Sequence, residues 1–274
     1  KNITALKAEL VKTAKSKGYE NRSQRQQSNN SIMFHSKPTK WELSYIFDRM
    51  VEAGGSEPGF VNAEAAKRRA PWFKGCNPCA EILLGNKSFC NLVEIDLGKF
   101  LGDVEDLERA IWIVSRANYR QTCVDLDDGV LQRSWHELNQ FLRLCGVGLT
   151  GIVKLLDYYG DDSAEFLKSL RMLARIGAFH MADSLSLPRP KAVTTVKPSG
   201  SLSKIMDTTE GVHRPLGKYL FNNITFSKHD PLVPMLREAK YKVIKKPSES
   251  DSVLVTFPVA YEDVKFTEID GKFV

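Results

Sequence analysis

The stretch WFKGCNPCAEILLGNKSFCN, residues 72–91, holds Cys76, Cys79 and Cys90, three of the chain's five cysteines. Asn77 stands two positions before Cys79 and Glu81 two positions after it. A structural zinc site takes four Cys or His ligands, usually as two close pairs. Here a fourth ligand is missing, because His35 and His136 are distant in sequence and Cys123 is isolated, so no metal is expected. A redox C-x-x-C pair sits at a helix N-terminus after a strand, whereas Pro71, Gly75 and Pro78 make this segment an irregular loop. In extended backbone, residues two apart project to one face, which would set the Asn77 amide, the Cys79 thiol and the Glu81 carboxylate side by side. A carboxylate can take a hydroxyl proton, an amide can orient an oxygen, and sulfur can exchange a hydrogen atom or an electron. The set suits chemistry on a hydroxylated substrate. The plain alternative, cysteine as a small buried hydrophobe, is preferred for Cys123 and Cys145.

Around this loop the periodicities are mixed. Upstream, Leu43, Ile46, Phe47, Met50 and Val51 recur at helical spacing after Thr39, a candidate N-cap, with Gly54-Gly55 as the stop. That apolar stripe is expected to face a core. Weak helical periodicity over residues 1–17 and a polar loop at 21–31, carrying Arg22 and Arg25, precede SIMF (31–34), read as a strand. GSEPGFVN (55–62) reads as a turn and a strand, and AEAAKRRAPWF (63–73) as a short helix ended by Pro71. Downstream, the spacing predicts helices over 104–122, through Leu138, Phe141, Leu142 and Cys145, and over 164–185. The last has so little polar face that it is expected to be mostly buried. The runs AVTTV (192–196), YLFNNITF (219–226), YKVI (241–244) and SVLVTF (252–257) are β-rich. Helices alternating with strands predict an α/β fold, and with no clear linker the whole of 1–274 reads as a single domain.

At 274 residues and 42% hydrophobic, the chain can bury a sizeable core. No apolar run approaches the roughly 20 residues a bilayer span needs, so no membrane partner is expected. Five unevenly placed cysteines argue against a secreted disulfide framework and for a cytoplasmic setting. A net charge of +6 favours polyanionic ligands. Nucleotides fit that balance as well as nucleic acid does; nucleic acid is not among the expected partners.

A second motif points the same way. AVTTVKPSGSLSKI (192–205) reads as strand, glycine turn and helix start. Outward-facing backbone N–H groups and a helix dipole would there make an anion site, with Pro198, Ser199, Gly200 and Ser201 as the cradle. By itself an ordinary capped helix explains this turn equally well.

NPCAE followed by FCN, with Cys90 eleven positions after Cys79, resembles the finger loop of ribonucleotide reductases, and the short spacing is similar to the adenosylcobalamin-dependent class II enzymes, most of all their monomeric triphosphate-reducing branch. TTVKPSG (194–200) resembles the family's substrate-phosphate loop and follows the finger loop in the required order. LRLCGVGLTGI (142–152) resembles its glycine-rich helix segment, and EGVHRP (210–215) with KYLFNNITF (218–226) resembles what comes after the phosphate loop.

The resemblance implies a portion of a ten-stranded α/β barrel of two five-stranded halves, with the finger loop (about 74–91) threaded through its centre and the phosphate loop at about 197–203. It implies reduction of ribonucleoside di- or triphosphates to 2′-deoxyribonucleotides, with Cys79 as the thiyl radical, Glu81 as base on the 3′ hydroxyl, Asn77 bonding the sugar and Cys90 as one of the two reducing cysteines. It also implies adenosylcobalamin, whose binding site is not located, an external dithiol reductant such as thioredoxin, and a nucleotide effector. For Cys145, His213 and Arg214 a structural role is preferred.

The match departs from the family at the second reducing cysteine. In the family it lies on an early strand, and nothing before Cys76 is a cysteine here. Cys76 is a candidate substitute, subject to disulfide geometry. The C-terminal cysteine pair of the family is also not found, so the 274 residues read as a piece of a larger catalytic polypeptide lacking N-terminal and C-terminal parts. Competing readings are a non-catalytic nucleotide-binding module, a thiol redox protein, and a class I large subunit.

Overall fold

The computed structural model describes residues 29–53, 57–127, 129–200, 202–211, 213–246, 250–269 and 272–273. The expected helix at 1–17, Arg22 and Arg25, the Gly54-Gly55 stop and Ser201 lie outside the described residues.

In chain order the elements are β1 (Ser31–Phe34), α1 (Lys40–Ala53), β2 (Gly59–Asn62), α2 (Ala63–Arg69), β3 (Gly75–Cys76), β4 (Leu83–Leu84), β5 (Asn91–Asp96), α3 (Val104–Gln121), α4 (Arg133–Leu142) and β6 (Cys145–Thr150). Then come α5 (Ile152–Tyr159), α6 (Ser163–Ser184), α7 (Leu202–Ile205), β7 (Tyr219–Ser227), α8 (Leu232–Glu238), β8 (Lys242–Lys245), β9 (Ser252–Ala260) and the short strands β10 (Glu268–Ile269) and β11 (Lys272–Phe273). They form two compact units, one drawn from residues 1–69 and 219–260, the other from 70–218 and 261–274.

In the first unit, β1 and β2 pair in parallel. Thr39 does cap α1: its hydroxyl accepts from Glu42 N–H at 3.2 Å while the Glu42 carboxylate accepts from Thr39 N–H at 2.8 Å, a reciprocal capping box. The stripe of α1 is not a core face, however. Ile46 is buried, but Phe47 is 47% and Val51 80% exposed. The three β-rich runs at 219–257 form an antiparallel sheet in the order β7-β9-β8, with Val233 of α8 packed on Val253 and Val255.

The second unit is built on a parallel ladder. β5 runs beside β6, Asn91 opposite Cys145 through Asp96 opposite Thr150. Residues 192–195 continue the ladder on the other side of β6: Val147 bridges Thr194 in parallel, and the N–H groups of Cys145, Val147 and Thr195 donate to the carbonyls of Ala192, Val193 and Val147. On one face, Ile95, Cys145, Val147 and Val193 pack with Leu107, Ile111 and Tyr119 of α3 and Leu170, Ala174 and Ala178 of α6. Each large side chain removed from water there contributes roughly 1.5–3 kcal/mol. Only one side of α6 is buried; Met172 and Ile176 on the other are about half exposed.

The expected helix through Cys145 is also corrected. α4 stops at Leu142, Arg143 turns into the left-handed region at φ 41, and Cys145 begins β6. The segment read as a glycine-rich helix is thus a strand followed by α5. Gly146 and Gly148 carry little helix propensity, and Cys145, Val147 and Leu149 alternate with them at the period of a strand.

Candidate active site

β3 and β4 pair antiparallel, Gly75 opposite Leu84 and Cys76 opposite Leu83, so residues 77–82 form a hairpin tip. The tip is a turn and not an extended run. Ala80 has φ 62, its N–H donates to the Asn77 carbonyl at 2.9 Å, and Ile82 N–H donates to Asn77 Oδ1 at 3.0 Å. Pro78 presets the backbone for the turn and Asn77 supplies the side-chain acceptor that closes it. Alternation therefore does not align Asn77, Cys79 and Glu81. Cys79 is exposed at the apex, and the Asn77 side-chain oxygen is committed to the loop. Both carboxylate oxygens of Glu81 are buried, with no hydrogen-bond partner among the described residues.

Cys76 and Cys90 are partly buried. Burial first, and then the Glu81 carboxylate, push both thiols above their ordinary range. At Cys90 the Lys197 ammonium acts in the opposite direction, and Cys79 adds to the rise. Glu81 therefore lies within electrostatic reach of both thiols, and Cys90 within reach of Cys79 and Lys197. Cys145 differs: it lies in the core on the other face of β6, and burial pushes its thiol up to about 12.

The hairpin rests on the face of the ladder opposite the helices. Gly146 leaves the room: a Cβ there would lie 2.5 Å from Leu92 Cδ2 and 3.1 Å from Ile82 Cδ1 of the hairpin. A Cβ on Gly148 would lie 3.3 Å from Glu94 Cγ. Ile82 packs with Leu142 and Leu144, flanked by Leu84, Cys90, Leu92 and Ala192. Thr195 ties the hairpin to the third ladder segment, its hydroxyl donating to the Glu81 carbonyl at 2.8 Å.

That segment leads into the turn at 197–200, so the two motifs meet. Lys197 Nζ lies 2.7 Å from Glu94 Oε1, and the Glu94 side chain is 1% exposed. Ser199, buried and at φ 56, donates its hydroxyl to the other Glu94 oxygen. It faces inward, leaving the backbone and Gly200 as what the turn can offer a ligand; a Cβ on Gly200 would meet only open space. α7 after the turn has four residues, so the helix dipole expected there adds little. Sequence reading overlooked Glu94, and it gave Thr195 and Lys197, both inside TTVKPSG, no role of their own. The available signal was a charge inside the apolar run NLVEI, on the strand face opposite Val93 and Ile95.

Arg214 links α5 to the segment around Lys265. It donates to both Asp157 oxygens, at 2.5 and 3.1 Å, and to the Lys265 carbonyl at 2.8 Å. The guanidinium holds the Asp157 carboxyl below the usual carboxylate range. No helix among the described residues is long and apolar enough to cross a membrane.

No family model matches the chain. Among curated proteins it is 27% identical over 269 residues to the adenosylcobalamin-dependent ribonucleoside-triphosphate reductase of Levilactobacillus brevis, covering 85% of this chain and 35% of that protein. It is 28% identical over 279 residues to the enzyme of that name from Lactobacillus acidophilus, covering 87% and 36%. A probable enzyme of the same kind from Dictyostelium discoideum is 26% identical over 250 residues, covering 85% and 31%. Among solved structures, a B12-dependent class II ribonucleotide reductase superposes with a TM-score of 0.71 at 26% identity, over 86% of this chain and 37% of that one. The class Id α subunit of Actinobacillus ureae shares the fold at 15% identity and a TM-score of 0.54. The chain is therefore similar in sequence and fold to the B12-dependent, class II ribonucleotide reductases, and it spans about a third of the length of the curated relatives it matches.

Proposed function

We propose that this chain is the part of a ribonucleotide reductase that carries the radical cysteine and the substrate-phosphate turn, and that it reduces ribonucleoside di- or triphosphates to 2′-deoxyribonucleotides. The observation that carries this reading is the donor-less Glu81 carboxylate. It is buried on a hairpin that exposes Cys79, and it is tied through Thr195 to the strand entering the 197–200 turn. A buried acceptor without a donor costs roughly 1–3 kcal/mol, and a sugar hydroxyl would relieve that cost.

Cys79, as a thiyl, takes the 3′ hydrogen atom of the ribose. Thiol S–H and ribose C–H bonds are of comparable strength, so the atom can pass in both directions. Glu81 accepts the 3′ hydroxyl proton. The side-chain amide nitrogen of Asn77 is the group left to bond the sugar, since its oxygen holds Ile82 N–H. The 2′ C–O bond breaks and its oxygen leaves as water. Two thiols, Cys90 and a second cysteine for which Cys76 is the candidate in this chain, become a disulfide and supply the two electrons and protons. The 3′ hydrogen then returns from Cys79, which is a thiyl again, and Glu81 gives its proton back to the 3′ oxygen. The 197–200 turn receives the phosphates through the backbone N–H groups of Ser199 and Gly200; Pro198, which has no N–H, shapes the turn, and Ser201 lies outside the described residues.

Adenosylcobalamin, when bound, supplies the initiating radical. The exposed thiol of Cys79 suits it, and no residue of this chain is assigned to holding the corrin. A thioredoxin-like dithiol would reset the disulfide, a nucleotide effector would tune base choice, and the setting is cytoplasmic. The parallel ladder of the second unit is read as part of the ten-stranded barrel, with the finger loop at about 74–91 and the phosphate loop at about 197–203.

The test is Cys79→Ser in the complete enzyme with adenosylcobalamin and dithiol. Deoxynucleotide formation is expected to vanish while CTP binding by calorimetry stays near the wild-type value. Residual turnover would remove Cys79 from this role.

A further inference from the structure

Glu94 is a buried carboxylate beside the candidate site, and the chemistry proposed above does not use it. Its side chain is 1% exposed and holds two partners at once, Lys197 Nζ at 2.7 Å and the Ser199 hydroxyl. Both belong to the turn proposed to receive phosphate. Ser199 sits at φ 56, a conformation seldom adopted by residues other than glycine, asparagine and aspartate. Backbone bonds hold the flanks of the turn: Ser203 N–H donates to the Ser199 carbonyl at 3.2 Å, and Gly211 N–H to the Pro198 carbonyl at 3.1 Å. Gly211 lies so close to the Lys197 carbonyl that a Cβ there would collide with it. These bonds fix carbonyls; the side-chain bond to Glu94 is what holds the Ser199 hydroxyl inward. Gly148 admits Glu94, since a Cβ there would lie 3.3 Å from Glu94 Cγ and 3.7 Å from Lys197 Cβ.

We infer that Glu94 is a positioning residue of the phosphate turn: by gripping Lys197 with one oxygen and Ser199 with the other, it keeps Ser199 left-handed and the backbone of 198–200 set for an anion. This rests on the reading of that turn as the substrate-phosphate site. The buried pair also keeps the Lys197 charge off the ligand, so the anion is held by backbone geometry and not by a loose ammonium. Glycine adopts positive φ without strain, which yields a rescue that a merely structural role would not show.

In the complete enzyme, CTP and inorganic triphosphate would be titrated into wild type, Glu94→Ala, Glu94→Gln, Ser199→Gly and the Glu94→Ala/Ser199→Gly double variant. Glu94→Ala is expected to weaken both ligands about tenfold and to raise KM more than it lowers kcat. Glu94→Gln, which keeps an acceptor for Ser199, falls between, and adding Ser199→Gly to Glu94→Ala recovers most of the loss. Equal or tighter binding by Glu94→Ala, or no recovery in the double variant, overturns the inference while leaving the functional reading intact. A wild type that binds neither ligand overturns both. Should Glu94→Ala not fold, Ser199→Ala against Ser199→Gly decides: weakened binding for alanine with near-native binding for glycine is expected, and equal binding by the two refutes the role of Glu94.

Discussion

The two faces of the β5–β6 ladder share a backbone and do opposite work. On one face Cys145 and Val147 join Ile95 and Val193 in a core closed by α3 and α6. On the other, one residue out of step, Gly146 and Gly148 leave room for a hairpin and for the Glu94–Lys197 pair. The first face is stabilised by filling space, the second is made useful by leaving it. A strand one residue out of register would exchange the two sets.

The largest expected effect falls on the open face. Glu81→Gln should lower the rate of deoxynucleotide formation about 10²–10⁴-fold, the usual worth of a positioned base, with CTP affinity near the wild-type value. A single-turnover assay checks this, and a rate within a few-fold of wild type would take the base role from Glu81. Next, Gly146→Val forces a side chain into Leu92 and Ile82. It should destabilise the fold by about 1–3 kcal/mol in denaturant melts and lower turnover per folded molecule about tenfold by displacing the hairpin. Its neighbour supplies the control: Val147→Ala should cost a similar roughly 1–3 kcal/mol through lost burial and a cavity, yet leave turnover per folded molecule near wild type. Should the two variants lose activity alike, the division of labour between the faces fails.

The smallest effect is a matter of titration. Glu81 raises the Cys90 thiol and Lys197 opposes it, so Glu81→Gln should move the inflection of Cys90 alkylation to lower pH and Lys197→Met should move it to higher pH. Mass spectrometry of iodoacetamide-treated protein reads both shifts. Cys145, with its thiol near 12, should stay unmodified in the native state under all these conditions. Opposite signs for Glu81→Gln and Lys197→Met are the required result.

Much of this was legible along the chain because local chemistry determines it. The Thr39 cap, the helix at 104–121 and the three antiparallel runs after residue 219 follow from side chains that act within a few positions, and each formed where its pattern predicts. The α1 stripe misled, since helical spacing states which side is apolar and not whether anything covers it. The run of alternation through Asn77, Cys79 and Glu81 misled too, because Pro78 and the Asn77 side chain favour a turn over extended backbone.

By itself the order of residues determined the two motifs, their spacing and the residue types able to do radical and acid–base chemistry, since these are properties of local sequence. Tertiary structure alone decided that the motifs meet. Glu81 and Thr195 are 114 positions apart, as Glu94 and Ser199 are 105 apart, and only the parallel ladder brings each pair within hydrogen-bond reach. Burial is likewise a property of the folded chain: no feature of the local sequence around Glu81 states that both its oxygens end up enclosed.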